Sequence, residues 1–131
     1  MVIDASALIA FLEDEPYAGE VLHALLHAER LLISTATVVE AGIVAETRRG
    51  ESGGRELDLL LHRLGAEQVP VSSEHTDLAR AAYRKFGRGH HPARLNFGDC
   101  FGYALAKATG DPLLFVGDDF ARTDIPAAVG R

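Results

Sequence analysis

Apolar residues fall along this chain in two rhythms, short unbroken runs and longer stretches that recur every third or fourth position. The runs at residues 1–3, 31–34, 67–71 and 112–116 have the length of strands. Helical spacing begins directly after Asp4 with Leu8, Ile9, Phe11 and Leu12 and returns over about 17–29 with Val21, Leu22, Leu25 and Leu26. Further helices are predicted over about 36–48, over 55–64 on the stripe Leu57, Leu60, Leu61, Leu64, and from Ser72 and Ser73 through Leu78, Ala81, Ala82 and Phe86. The last opens at Asn96 and runs to Gly110, a natural C-terminal stop.

Between these elements, Glu13 to Pro16 breaks the first helix and Gly50 to Gly54 reads as a turn cluster. The cluster is no phosphate loop, because it lacks a Gly-Lys-Ser/Thr ending and a preceding strand. Pro70 marks the third strand as an edge. Residues 87–95 are the most loop-like, and residues 121–131 show no periodicity. Strands separated by helices predict an α/β fold with a mostly parallel sheet covered on both faces, in a single domain spanning residues 1–131.

Composition narrows the chemistry. The chain has 131 residues and one cysteine, Cys100, so it can form neither an internal disulfide nor a zinc ribbon. Acids at positions 4, 13, 14 and 15 interrupt the N-terminus as a signal peptide, and no stretch reaches the roughly 18 apolar residues of a membrane span. A cytoplasmic protein without a membrane partner is the expectation. The net charge of −6 argues against broad electrostatic nucleic-acid binding. Yet Arg80, Arg84, Lys85, Arg88 and Arg94 form an acid-free basic run with His90 and His91, either a solvated face or a phosphate-contacting strip. His23 and His27 share the i, i+4 spacing of a metal pair but lack the intervening Glu of His-Glu-x-x-His, so an exposed or satisfied pair is expected.

A few acids differ from the rest because they sit beside apolar stretches at element ends: Asp4, Glu40, Asp99 and the pair Asp118/Asp119. Asp4 follows a strand, and ligands of open α/β sheets bind at the carboxyl ends of strands. Each acid also has a purely structural reading. Asp4 or Ser6 can cap the first helix, Thr37 to Glu40 fits a capping box, and Asn96 to Asp99 has the same outline. If the acids converge, each ionised pair at ~4 Å repels by about 4 kcal/mol at an effective dielectric near 20. A divalent cation removes that conflict, and all-oxygen ligands favour Mg²⁺ or Mn²⁺ over zinc or copper.

Four segments carry a resemblance to a known family: Val-Ile-Asp-Ala-Ser-Ala-Leu (Val2 to Leu8), Glu40 after Ser34-Thr35, Leu-Asn-Phe-Gly-Asp-Cys (Leu95 to Cys100), and Leu-Leu-Phe-Val-Gly-Asp-Asp-Phe with Thr123-Asp124. Their order and spacing resemble PIN-domain proteins, specifically VapC-type toxins, over essentially the whole chain. The resemblance implies a PIN-like three-layer α/β/α fold and a Mg²⁺-dependent endoribonuclease that leaves a 5′-phosphate and a 3′-hydroxyl. It also implies a homodimer held inactive by a VapB-type antitoxin. Asp4, Glu40 and Asp99 match the family's acidic triad, and Asp119 or Asp118 the fourth acid, with Asp119 favoured. Asp4 and Asp99 are then the metal ligands, Glu40 and the fourth acid acting through water or a second ion. Ser6 is expected to orient Asp4 or a bound water, and Asn96 to position the site or cap its helix. The basic run would guide the RNA backbone.

Two other classes fit less well. An aspartyl phosphatase needs a second Asp where Ser6 stands, and a receiver domain needs a Lys after its last strand, whereas Lys107 lies within a helix. A catalytically weak or inactive PIN-like module that only binds RNA or protein is the alternative to the nuclease.

Overall fold

The protein is described by a computed structural model over residues 1–128. Four strands form the sheet: β1 (Val2–Ile3), β2 (Leu32–Ser34), β3 (Glu67–Val69) and β4 (Leu113–Leu114). Five α-helices cover it, α1 (Ala5–Leu12), α2 (Ala18–His27), α3 (Thr35–Leu64), α4 (Ser73–Phe86) and α5 (Asp99–Thr109), and a 3₁₀ turn follows at Phe120–Arg122. The order is β3-β2-β1-β4 with every pairing parallel, and β3 lies at the edge as Pro70 foretold.

Side chains of a strand point alternately to the two faces, and the core divides accordingly. Val2, Leu32 and Leu113 join one cluster with Ala79, Ala82 and Phe86 of α4 and Tyr103, Ala104 and Leu105 of α5. Their neighbours Ile3, Ile33 and Leu114 join the other, with Leu8 of α1, Val21 and Leu25 of α2, and Leu57 and Leu61 of α3. The result is three layers, helices over both faces of a parallel sheet.

The structure corrects one predicted loop. Of the cluster Gly50 to Gly54, only Gly50 leaves helical geometry, with φ 64° and ψ −156°. There α3 doubles back on itself. Gly53 then lies so close to the first limb that a Cβ would strike the carbonyl oxygen of Ala45, and Arg49 bonds Glu56 across the bend at 2.6 Å. The remaining small residues serve close approach of two helical limbs, a need that local turn chemistry does not reveal.

The chain runs outward from β1 to β2 and β3, then returns to place β4 on the other side of β1. The strand order therefore reverses between β1 and β4, and a crevice opens beyond their carboxyl ends. The two edges are stitched at that end by Asp4 N–H donating to the Leu114 carbonyl at 3.0 Å.

Candidate functional site

A cleft of about 320 Å³ opens at this reversal, and Asp4, Ser6, Glu40, Asn96, Asp99 and Asp119 all line it. Asp4 arrives as the N-cap of α1, extended at φ −88° and ψ 155°, and is 2% exposed. Its Oδ2 accepts from the Ser6 amide at 3.0 Å and from the Ser6 hydroxyl at 2.6 Å. The same hydroxyl accepts from the Val116 amide at 3.0 Å, so Ser6 ties Asp4 to the segment leaving β4. Asp4 Oδ1, buried, has no hydrogen-bond partner among the described residues. The capping reading and the cleft reading are both realised, one on each oxygen.

Asp99 behaves similarly. The Asp99 amide donates to Asn96 Oδ1 and the Asn96 amide to Asp99 Oδ2, both at 2.9 Å, a reciprocal cap that fixes the carboxylate at the start of α5. Asn96 is thus the cap and a lining residue at once. The predicted box around Glu40 does not form: Ser34 is the N-cap of α3, its hydroxyl accepting from the Ala36 amide at 3.2 Å, and Thr37 is buried inside the helix. Glu40 instead reaches across to the α5 entry, where a Cβ on Gly98 would fall on its carboxylate. A glycine is required there for room, and the positive end of the helix favours the acid it admits.

The electrostatics follow from crowding and burial. Burial raises the Asp4 carboxyl, its Ser6 hydrogen bonds oppose the rise, and Asp119 adds to it. Burial, with Asp4 nearby, lifts Glu40 to about 7. Asp99 also rises to about 7, through burial and the charges of Asp4, Asp119 and Glu40, against the Asn96 amide bond that lowers it. Asp119 is therefore within electrostatic reach of two of the acids. Asp118 lies outside this cleft and lines an adjoining one with Asp119.

Among the described residues, no three Asp, Glu, His or Cys side chains close on one point by themselves. The unpaired Asp4 oxygen, buried beside raised carboxyls, is the atom that fits a hard cation.

Other residues singled out by the sequence lie apart. His23 and His27 are exposed and stacked, ring centroids 4.1 Å apart, with a His27 ring nitrogen at the His23 carbonyl. Asp124 takes hydrogen bonds from Tyr103 and Lys107, both at 2.7 Å, and so pins the tail to α5. Cys100 is buried, its thiol lifted to about 11 by burial and Asp99, which makes it inert. Arg80, Arg84 and Arg88 line a groove beside the cleft, Arg94 lines the adjoining one, and Lys85 lies over the Phe86 ring. Sequence reasoning missed Gly98, and it missed Glu15 and Arg48, which line the acidic cleft and pair at 3.9 Å. The Gly-Asp pair at the α5 entry was the only available signal for Gly98.

This fold and acid set define a PIN domain, and residues 1–126 match that family. Ribonuclease VapC30 of Mycobacterium tuberculosis is 56% identical over 126 residues, 95% of each chain. The chain belongs to the PIN-domain family and, within it, to the VapC ribonucleases. Among solved structures, the sarcin–ricin-loop-cleaving toxin VapC20 of Mycobacterium tuberculosis superposes with a TM-score of 0.78 at 13% identity, covering 95% of both chains. A toxin–antitoxin complex from Klebsiella pneumoniae gives 0.70 at 18% identity, covering 94% of this chain and 92% of its own. These two likenesses confirm the fold.

Proposed function

We propose that the protein is a divalent-metal-dependent endoribonuclease, the toxin of a toxin–antitoxin pair, acting on RNA as a homodimer in the cytoplasm and neutralised by a VapB-type antitoxin. The observation that carries the nuclease reading is the unpartnered, buried Asp4 Oδ1 in a cleft with Glu40, Asp99 and Asp119. The names of the VapC relatives support RNA as substrate, and the Klebsiella complex supports an antitoxin as partner.

Asp4 and Asp99 would hold Mg²⁺, with Mn²⁺ as its substitute. When bound, such an ion neutralises charge on the scissile phosphate and makes water a better nucleophile. Ser6 keeps Asp4 in place through two hydrogen bonds, and Asn96 does the same for Asp99. Glu40, its carboxyl near neutrality, accepts the proton of the attacking water. Asp119 completes the negative wall, in preference to Asp118. The water oxygen bonds to phosphorus, the bond to the 3′-oxygen breaks, and the leaving oxygen takes a proton from solvent, giving a 5′-phosphate and a 3′-hydroxyl.

The test is cleavage of a labelled RNA with Mg²⁺ and with excess EDTA, by the parent and by Asp99→Asn. Cutting by the parent only with the metal, and none by the variant, is expected. Equal cutting in EDTA, or by the variant, would refute the site.

A further inference from the structure

A groove of about 770 Å³ lies between α4 and the entry to α5, beside the acidic cleft. Its floor is aromatic: Tyr83 from α4, Phe97 from the α5 entry, and Phe101 one turn on. Phe97 is 79% exposed, braced edge-on by Phe101 with ring centroids 5.0 Å apart. A large ring held in water on a short, capped segment next to Asp99 contributes little to the core. Arg80, Arg84 and Arg88 also line this groove, and no acid does. Among the described residues these three guanidinium groups make no ion pair, although the chain carries a net charge of −6.

The groove adjoins the acidic cleft, Asn96 lining both. Arg88 and Asn96 continue into a further cleft of about 320 Å³, where Arg94 and Arg122 stand with Asp119. The acidic centre thus adjoins two clefts lined by arginines that make no ion pair among the described residues.

We infer that the groove is the subsite for an unpaired nucleotide of the RNA flanking the cut bond, its base laid on Phe97 and Tyr83 and its phosphate met by the arginine rim. The inference rests on the nuclease reading and names the form of RNA that reading requires: single-stranded at the site, with a base free to leave its stack. Exposed aromatic faces beside guanidinium groups are how proteins hold splayed RNA bases. A second copy of the chain fits less well, because a two-fold contact through this groove would set its arginine rim against the same charges.

The chain has no tryptophan, so Phe97→Trp installs a single indole reporter at the groove. Binding of a random-sequence single-stranded RNA of about 12 nucleotides is measured in EDTA, where the proposed cutting is off, by anisotropy for the parent, Phe97→Ala and Phe97→Trp. Phe97→Ala should weaken binding by about 5- to 150-fold, the worth of one base–aromatic stack. Phe97→Trp should bind like the parent, with its emission quenched saturably by the RNA and little changed by a duplex of the same length. Arg84→Ala should reduce the salt dependence of binding by about one phosphate contact. Unchanged affinity of Phe97→Ala, or an indole signal unmoved at saturating RNA, overturns the inference. Loss of dimer in Phe97→Ala at unchanged RNA affinity also overturns it and assigns the groove to a second copy. A parent that cuts RNA while the variants bind as it does refutes the groove alone; a parent that neither binds nor cuts refutes the nuclease reading with it.

Discussion

Replacing Asp99 with asparagine should make the metal-free protein more stable while it destroys the proposed activity. The carboxyl rises from an ordinary 3.8 to about 7 in the folded chain, chiefly through burial and then through its acidic neighbours. Above 3.8 the unfolded chain gives up this proton and the folded one keeps it, so stability falls as pH rises, until the loss is complete above about 7. A shift of roughly three units corresponds to about 4 kcal/mol at most, since the coupled acids share one cost. About two of those units lie between pH 5 and pH 7, or roughly 3 kcal/mol. The asparagine can still accept from the Asn96 amide, so the α5 cap survives. Thermal melts in EDTA should show Asp99→Asn above the parent by about 10 °C near pH 8, with a much smaller gap near pH 5. Saturating Mg²⁺ should raise the parent more than the variant and narrow the gap. A variant no more stable at pH 8, or equally advantaged at both pH values, would refute the claim that repulsion and burial of ionised carboxylates strain this cleft.

Ser6→Ala removes the hydroxyl that serves Asp4 and the Val116 amide together. It should lower stability by about 1–3 kcal/mol in urea unfolding and also weaken metal affinity by isothermal titration. Gly98→Ala sets a methyl group on the Glu40 carboxylate, and the displacement should cut the rate of RNA cleavage on the order of 100-fold with the circular dichroism spectrum unchanged. Asp119→Asn should lower kcat/KM by about tenfold or more, equivalent to about 1.4 kcal/mol, whereas Asp118→Asn, outside the acidic cleft, should cut RNA like the parent.

Elements whose signals are local were legible in the sequence. Ser72 caps α4, Gly110 ends α5 in a left-handed turn, and the alternating apolar pairs of β1, β2 and β4 divide between two core clusters. The acids at element ends were legible for the same reason, since a carboxylate beside apolar residues needs either a cap or a shared purpose. What stayed hidden depends on contacts across the fold. Glu40 could be placed on its helix but not against Gly98, 58 residues later, and the glycines after Gly50 looked like a turn because nothing local marks Ala45 as their neighbour. Glu15 and Arg48 belong to the same category, joined only when α3 folds over α1. At the turn after β4 both Asp118 and Asp119 line the adjoining cleft, and only Asp119 also lines the acidic one, a difference that adjacent identical residues do not show in sequence.

β1 lies in the interior of the sheet beside β4, and next to this seam Ser6 and Val116 are clasped across 110 positions of sequence. Asp119 thus stands opposite Asp4 in one cleft because the segment leaving β4 is closed against the start of α1.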